Sequence, residues 1–328
     1  MRRLCFLAAA FVLWAPAASA QMMPDSTVQV VAYWNLGDKH HYRFESVKSD
    51  IVGTDTTIVD KSAEIVSFEV VAADEEKGYR VKVTSLESQF SDPMLEIIDR
   101  KWRERFGEEA YSFETGPFGD FQRVLPIEGL DEQRDALVQE IADGIIQKQG
   151  GTGDREQILD LARQMISQES LTLAVISEYA PLLLFHGGRF DLDREYEFQD
   201  ETPSIFGSGQ AITMDGRFWV DEELTDDYSA VLRLYKNADQ EQLAPYLTAL
   251  IGQLVGSLAE DEDEREQARQ EVEKAYRDAA MTLEDFIFEE VHLGTGWPIQ
   301  YHHTREVLIK IGGQEKEQLV EKTVTLLE

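Results

Sequence analysis

Cysteine is nearly missing from this sequence, and the one residue present, Cys5, lies within the first 20 positions. Those positions read MRRLCFLAAAFVLWAPAASA, with a basic start at Arg2 and Arg3, an apolar run over 5–14 and a small-x-small end at Ala18-Ser19-Ala20. That is the pattern of a cleaved secretory signal, so 1–20 is read as a signal peptide and the mature chain is expected in the periplasm or outside the cell after cleavage near Ala20. The mature chain then has no thiol. Disulfides, thiolate nucleophiles, Cys-ligated zinc and iron–sulfur clusters are excluded together, and no Cys stands at the cleavage point to take a lipid anchor. Long apolar runs are also lacking: beyond the signal, none reaches the length of a transmembrane span.

Positive charge is scarce. Without Arg2 and Arg3 the mature chain holds 29 basic against 63 acidic residues, a net charge of −34. Such a chain repels nucleic acid and anionic lipid, which removes nucleic acid from its partners. The acids are spread along most of the chain, which points to a solvated, salt-tolerant surface more than to a docking tail.

Catalytic and metal-binding signatures are sparse too. Of the six histidines (His40, His41, His186, His292, His302 and His303), none falls in an HExxH pattern. His292 and His302 are the pair a hairpin could place face to face, but no third ligand is spaced to join them, so no metal and no other cofactor is expected. Gly207-Ser208-Gly209 lacks the GxSxG spacing of a nucleophile elbow. Gly150-Gly151-Thr152-Gly153 precedes no Lys-Ser/Thr and reads as a helix break, not a phosphate cradle. The acidic run 260–264 has no Gly to close a calcium loop.

What the sequence does have is alternation. Tyr42, Phe44 and Ser46 alternate with His41, Arg43 and Glu45, and Tyr79, Val81 and Val83 with Arg80, Lys82 and Thr84. With turns expected at Gly37-Asp38, 53–57 and 72–78, this is an antiparallel meander with one wet face. Asp92-Pro93 opens a helix that Gly107 closes. Residues 131–149, 154–166 and 171–184 read as further helices, and 240–258 as the most amphipathic one. Two hairpins stand out. In 285–311, two apolar runs flank Gly294-Thr295-Gly296-Trp297-Pro298, and a fainter copy in 111–125 is centred on Thr115-Gly116. A final strand is expected over 321–327.

Strands, helix and Thr-Gly hairpin occur twice in the same order, and Tyr42-Arg43-Phe44 is echoed by Tyr196-Glu197-Phe198. The expected fold is therefore α+β, antiparallel sheets with packed helices in two degenerate repeats: 21–184 as a first half with connector helices, 185–328 as a second. Aromatic residues collect on these strands. Most belong to the core, but a sheet covered by helices also has room for a lipid-like ligand, and Phe44, Phe198, Trp219, Phe288 and Trp297 are the candidates for its apolar face.

The Gly37–Phe44 entry strand, the hairpins at Thr115-Gly116 and Thr295-Gly296-Trp297-Pro298, and the loop 203–209 give a layout similar to secreted proteins common in the Bacteroidetes lineage. The resemblance covers most of the mature chain and brings no activity with it. In architecture the layout also resembles periplasmic lipoprotein carriers, which implies a curved antiparallel sheet covered by helices. The expected function is that of a non-enzymatic binding or envelope-maintenance protein whose partner is a lipid-like ligand or an envelope protein. The alternatives are an extracytoplasmic hydrolase with an unrecognised site and a surface interaction protein without a small ligand.

Overall fold

The structure, a computed structural model, describes residues 22–23, 26–127, 129–148, 155–192, 194–203, 211–238, 241–243, 280–311 and 314–327. The expected signal peptide 1–20, the expected breaks at 150–153 and 312–313, the loop 204–209, nearly all of the expected helix 240–258 and the acidic run 260–264 lie outside the described residues.

Antiparallel sheet dominates. Short strand β1 (Met22–Met23) pairs with β2 (Thr27–Gln29), which pairs in turn with β8 (Arg189–Asp191). The main sheet holds β3 (Lys39–Val52), β4 (Asp55–Asp74), β5 (Gly78–Phe90), β6 (Ala110–Thr115), β7 (Phe121–Val124), β9 (Tyr196–Pro203), β10 (Ala211–Val220), β11 (Ser229–Ala238), β12 (Ala280–His292), β13 (Pro298–Ile311) and β14 (Gln314–Leu327). Its order is β7-β6-β5-β4-β3-β14-β13-β12-β11-β10-β9. Each run is a meander, and β3 joins β14 to fuse the two runs into one 11-stranded sheet. The halves 21–184 and 185–328 thus share one sheet and one main core, which makes the fold more sheet-dominated than the expected α+β layout.

Strand lengths exceed the sequence reading. The turn expected over 53–57 is confined to Gly53-Thr54, since the β-branched Thr56, Thr57, Ile58 and Val59 favour extended backbone. The polar turn expected over 72–78 shrinks to 75–77, where Asp74 Oδ1 accepts the backbone N–H of Glu76 and of Lys77 at 3.0 Å each.

The sheet is strongly curled. β6 and β12 stand six places apart, roughly 29 Å in a flat sheet. Yet Ala32 N donates to Phe118 O (2.9 Å) in the β6–β7 turn, while the next amide, Tyr33 N, donates to Thr295 O (3.0 Å) in the β12–β13 turn. Val30 N donates to Gly188 O and Gly187 N to Val30 O, so the loop before β8 grips the same segment. Residues 30–34 are therefore a hub that closes one end of the curl. Trp34 stacks on Trp297 with ring centroids 4.3 Å apart, and His186 Nε2 lies 2.7 Å from Gly296 O.

The two hairpins exist as expected, but their Thr-Gly dipeptides sit differently, and the two degenerate repeats are not shown. Thr115 ends β6, and the turn glycine with positive φ is Gly119 (+94°); in the second hairpin Thr295 lies within the turn and Gly296 itself has φ +74°. Gly296 is required there, because a Cβ on it would lie 2.2 Å from Val31 O.

Helix α1 (Pro93–Phe106) starts as read: Asp92 Oδ1 accepts Met94 N at 2.8 Å and Gly107 ends it with φ +80°. Its apolar stripe remains half-covered, with no residue fully buried. Helices α2 (Leu130–Lys148) and α3 (Arg155–Met165) pack a separate small core through Val138, Ala142, Leu159 and Ala162. The expected helix 171–184 is α4 (Gln168–Tyr179) followed by a 3-10 turn at Ala180–Leu183. It crosses the concave side of the sheet, where Tyr179 meets Phe44 and Phe68 edge-on at 5.7 Å each.

Candidate functional site

Strict pairing across the sheet assigns every side chain to one of two faces, because the side-chain period of a strand is two. One inner row runs Val220, Leu232, Glu289, Tyr301, Val324, Phe44 from β10 to β3. The neighbouring row on the outer face runs Trp219, Arg233, Phe288, His302, Thr323, Glu45.

The five candidate ligand residues are therefore not one surface. Phe44 and Phe198 point inward, but Phe44 is packed under Tyr179 whereas Phe198 lies over Gly216 near the β9 edge. Trp219 and Phe288 are on the outer face; the Arg233 guanidinium lies 5.2 Å from the Phe288 ring centroid and is held by Asp221 at 2.8 and 2.9 Å. Trp297 is in the hub, stacked on Trp34 and 4.7 Å from the His40 ring. Both faces of these strands carry aromatics, so composition alone could not sort them.

His292 and His302 do not face each other. His302 is opposite Phe288, which puts His292 four residues further along β12, roughly 13 Å away. His302 sits between Thr323 Oγ1 (3.1 Å) and Thr304 Oγ1 (3.0 Å), and His292 beside Thr295 Oγ1 (3.0 Å). Among the described residues no three His, Cys, Asp or Glu side chains come together as a metal site.

The inner face instead gathers a set of acids that the sequence reading passed over. Asp285, one percent exposed, takes Arg305 bidentately (Nε–Oδ1 and Nη2–Oδ2, both 2.7 Å), and His303 Nε2 lies 3.1 Å from its Oδ1. Burial acts to raise the Asp285 pKa, but the hydrogen bonds and charges of Arg305 and His303 outweigh it and hold the carboxyl well below the usual range. Lys322 of β14 reaches Glu178 of α4 at 2.9 Å, tying the helix to the sheet.

Glu289 is different. It has no exposed surface, and neither carboxyl oxygen has a hydrogen-bond partner among the described residues. Burial alone pushes its pKa well above the usual carboxylate range and so favours the neutral acid. Tyr301 lies directly opposite Glu289 on β13, and Tyr42 OH donates to Pro298 O at 3.0 Å. The signal for Glu289 was present in the sequence as an acid at an apolar position of the 281–293 alternation. It was obscured because 63 acids make any single one unremarkable.

A second acidic cluster lies where α1 meets β5. Arg103 donates to Ser85 O, Leu86 O, Ser85 Oγ and Ser88 Oγ at 2.8–3.2 Å, besides its pair with Asp99. Burial, then the charge of Glu64, pushes Glu109 up to about 7.

No family model and no curated protein matches this chain. A solved structure of lipovitellin, described for its lipid–protein interactions, aligns with 90% of this chain and 26% of its own, at 7% identity and a TM-score of 0.42. This chain thus spans about a quarter of that protein's length. An outer membrane channel from Pseudomonas putida F1 aligns with 90% of this chain and 98% of its own, at 9% identity and a TM-score of 0.13. Likenesses this distant carry no argument about function.

Proposed function

We propose that this chain is exported and works without catalysis, as a binding protein that holds an apolar ligand between the curled sheet and α4. The observation that carries the reading is α4 itself. Its central run, Leu171 to Ile176, has apolar side chains around most of the helix. Val175 and Tyr179 face the concave sheet and are buried, while Leu173 is 56% exposed. A helix that is apolar all round belongs in an interior, yet this one lies as a cover with one side in water. It spans an inner face lined by Phe44, Val66 and Phe68, all buried. A cover of this kind gains by exchanging contacts with an apolar guest, since each buried CH₂ contributes about 0.8 kcal/mol.

The test is to purify the mature chain from its native envelope without denaturation and weigh it by native mass spectrometry. A bound mass that organic extraction removes is expected, with saturable uptake of N-phenyl-1-naphthylamine by the extracted protein. A bare polypeptide mass together with no saturable uptake of the probe rules the reading out.

A further inference from the structure

Glu289 is the one fully buried carboxylate whose two oxygens both lack partners among the described residues. Leaving such a group unpaired costs about 1–3 kcal/mol, and a core can shed that cost with any apolar residue. The cost is recovered when something else supplies the partner.

We propose that Glu289 anchors the head group of the ligand, and that this ligand is an apolar molecule carrying a single ammonium group. The inference rests on the reading above, that a guest enters beneath α4. The neighbouring cations of the inner face are already engaged, Arg305 by Asp285 and Lys322 by Glu178, so among the described residues neither is free to pair with Glu289. Tyr301 lies directly opposite Glu289 and Tyr42 is near it, and tyrosine rings favour a cation at their faces. The mature net charge of −34 concentrates cations around the protein. An alkyl tail would run across the strands beneath Tyr179, over Val324 and Phe44.

The proton balance follows. Burial favours the neutral carboxyl of Glu289 in the empty site; pairing with the ammonium takes the carboxylate, so the proton goes to solvent on binding. One proton leaves per ligand, so affinity rises by up to about tenfold per pH unit while free Glu289 stays protonated. The charged and titratable groups around it are Asp285 on β12, Tyr301, His303 and Arg305 on β13, Tyr42 on β3, Lys322 on β14 and Glu178 on α4. His303, whose Nε2 lies 3.1 Å from Asp285 Oδ1, is the imidazole of this group, and His303→Gln is the control.

The experiment is calorimetry of the mature protein with dodecylammonium chloride and with dodecanol, below micelle formation, at pH 6, 7 and 8 in two buffers of different ionisation enthalpy. Expected are tighter binding of the ammonium than of the alcohol, about one proton released, and a rising affinity with pH that persists in His303→Gln. Glu289→Gln should weaken the ammonium about tenfold or more relative to dodecanol and abolish the slope. Ammonium binding that ignores pH, or is the same in Glu289→Gln, overturns the anchor but leaves an apolar guest in place. Failure of both probes to bind overturns the anchor and the binding reading together.

Discussion

Acidification should loosen the hub, and His186 is where the effect can be isolated. Its ring is five percent exposed, Nε2 lies 2.7 Å from Gly296 O, and Nδ1 has no partner among the described residues. Burial lowers its pKa from 6.5 to about 4, against a smaller upward pull from the Gly296 hydrogen bond and Asp120. In the unfolded chain the imidazole takes a proton below 6.5, whereas in the folded chain it does so only below about 4. The unfolded state therefore binds more protons between these values, and stability falls as pH drops through that window. A gap of 6.5 to about 4 corresponds to roughly 3 kcal/mol at 1.36 kcal/mol per unit. Glu109, raised to about 7, acts in the opposite direction, because the folded state then holds the extra proton as pH falls from 7 towards 4.5. The whole-protein profile can consequently look flat. The informative quantity is the difference in urea-unfolding free energy between the wild type and His186→Gln, followed from pH 7.5 to 4. The wild-type advantage should shrink by about 3 kcal/mol across the window. A difference independent of pH would show that His186 is not held neutral in the fold, and the hub argument would fail with it.

Two other outcomes are expected. Gly296→Ala should destabilise the protein by about 3 kcal/mol or more, since a φ of +74° and a Cβ placed 2.2 Å from Val31 O both oppose it; a thermal midpoint within about 2 °C of wild type would contradict the tight approach of the hairpin to 30–34. The midpoint should also rise with NaCl, most steeply below about 0.1 M where the Debye length exceeds about 10 Å, because 31 bases cannot pair 63 acids. The comparison is with an uncharged osmolyte of equal osmolality, and a flat or falling midpoint in salt would mean that local ion pairs outweigh net repulsion.

The sequence by itself determined the local elements. Asp92 and Pro93 start α1 because a side-chain acceptor and a fixed φ act within one turn. The alternation around Tyr42 and Phe44 makes a strand because pleating repeats every two residues, and the glycines at 294 and 296 mark a turn. Tyr42 with Phe44 and Tyr196 with Phe198 even lie on the same inner face in β3 and β9. The tertiary structure alone decided which strands meet and which faces are wet. The pairing of β3 with β14 joins residues far apart in the chain, such as Phe44 with Val324, 280 positions on, and no local period records such a choice. The curl that brings Phe118 and Thr295 to adjacent amides follows from that pairing and from sheet twist. It also set the candidate site. Trp219 and Phe288 read like Phe44 in the sequence but fall on the opposite face, because one residue of register exchanges inside for outside. Glu289 reads like the other acids until the sheet closes over it, and burial, a property of neighbours distant in the chain, is what makes it distinctive.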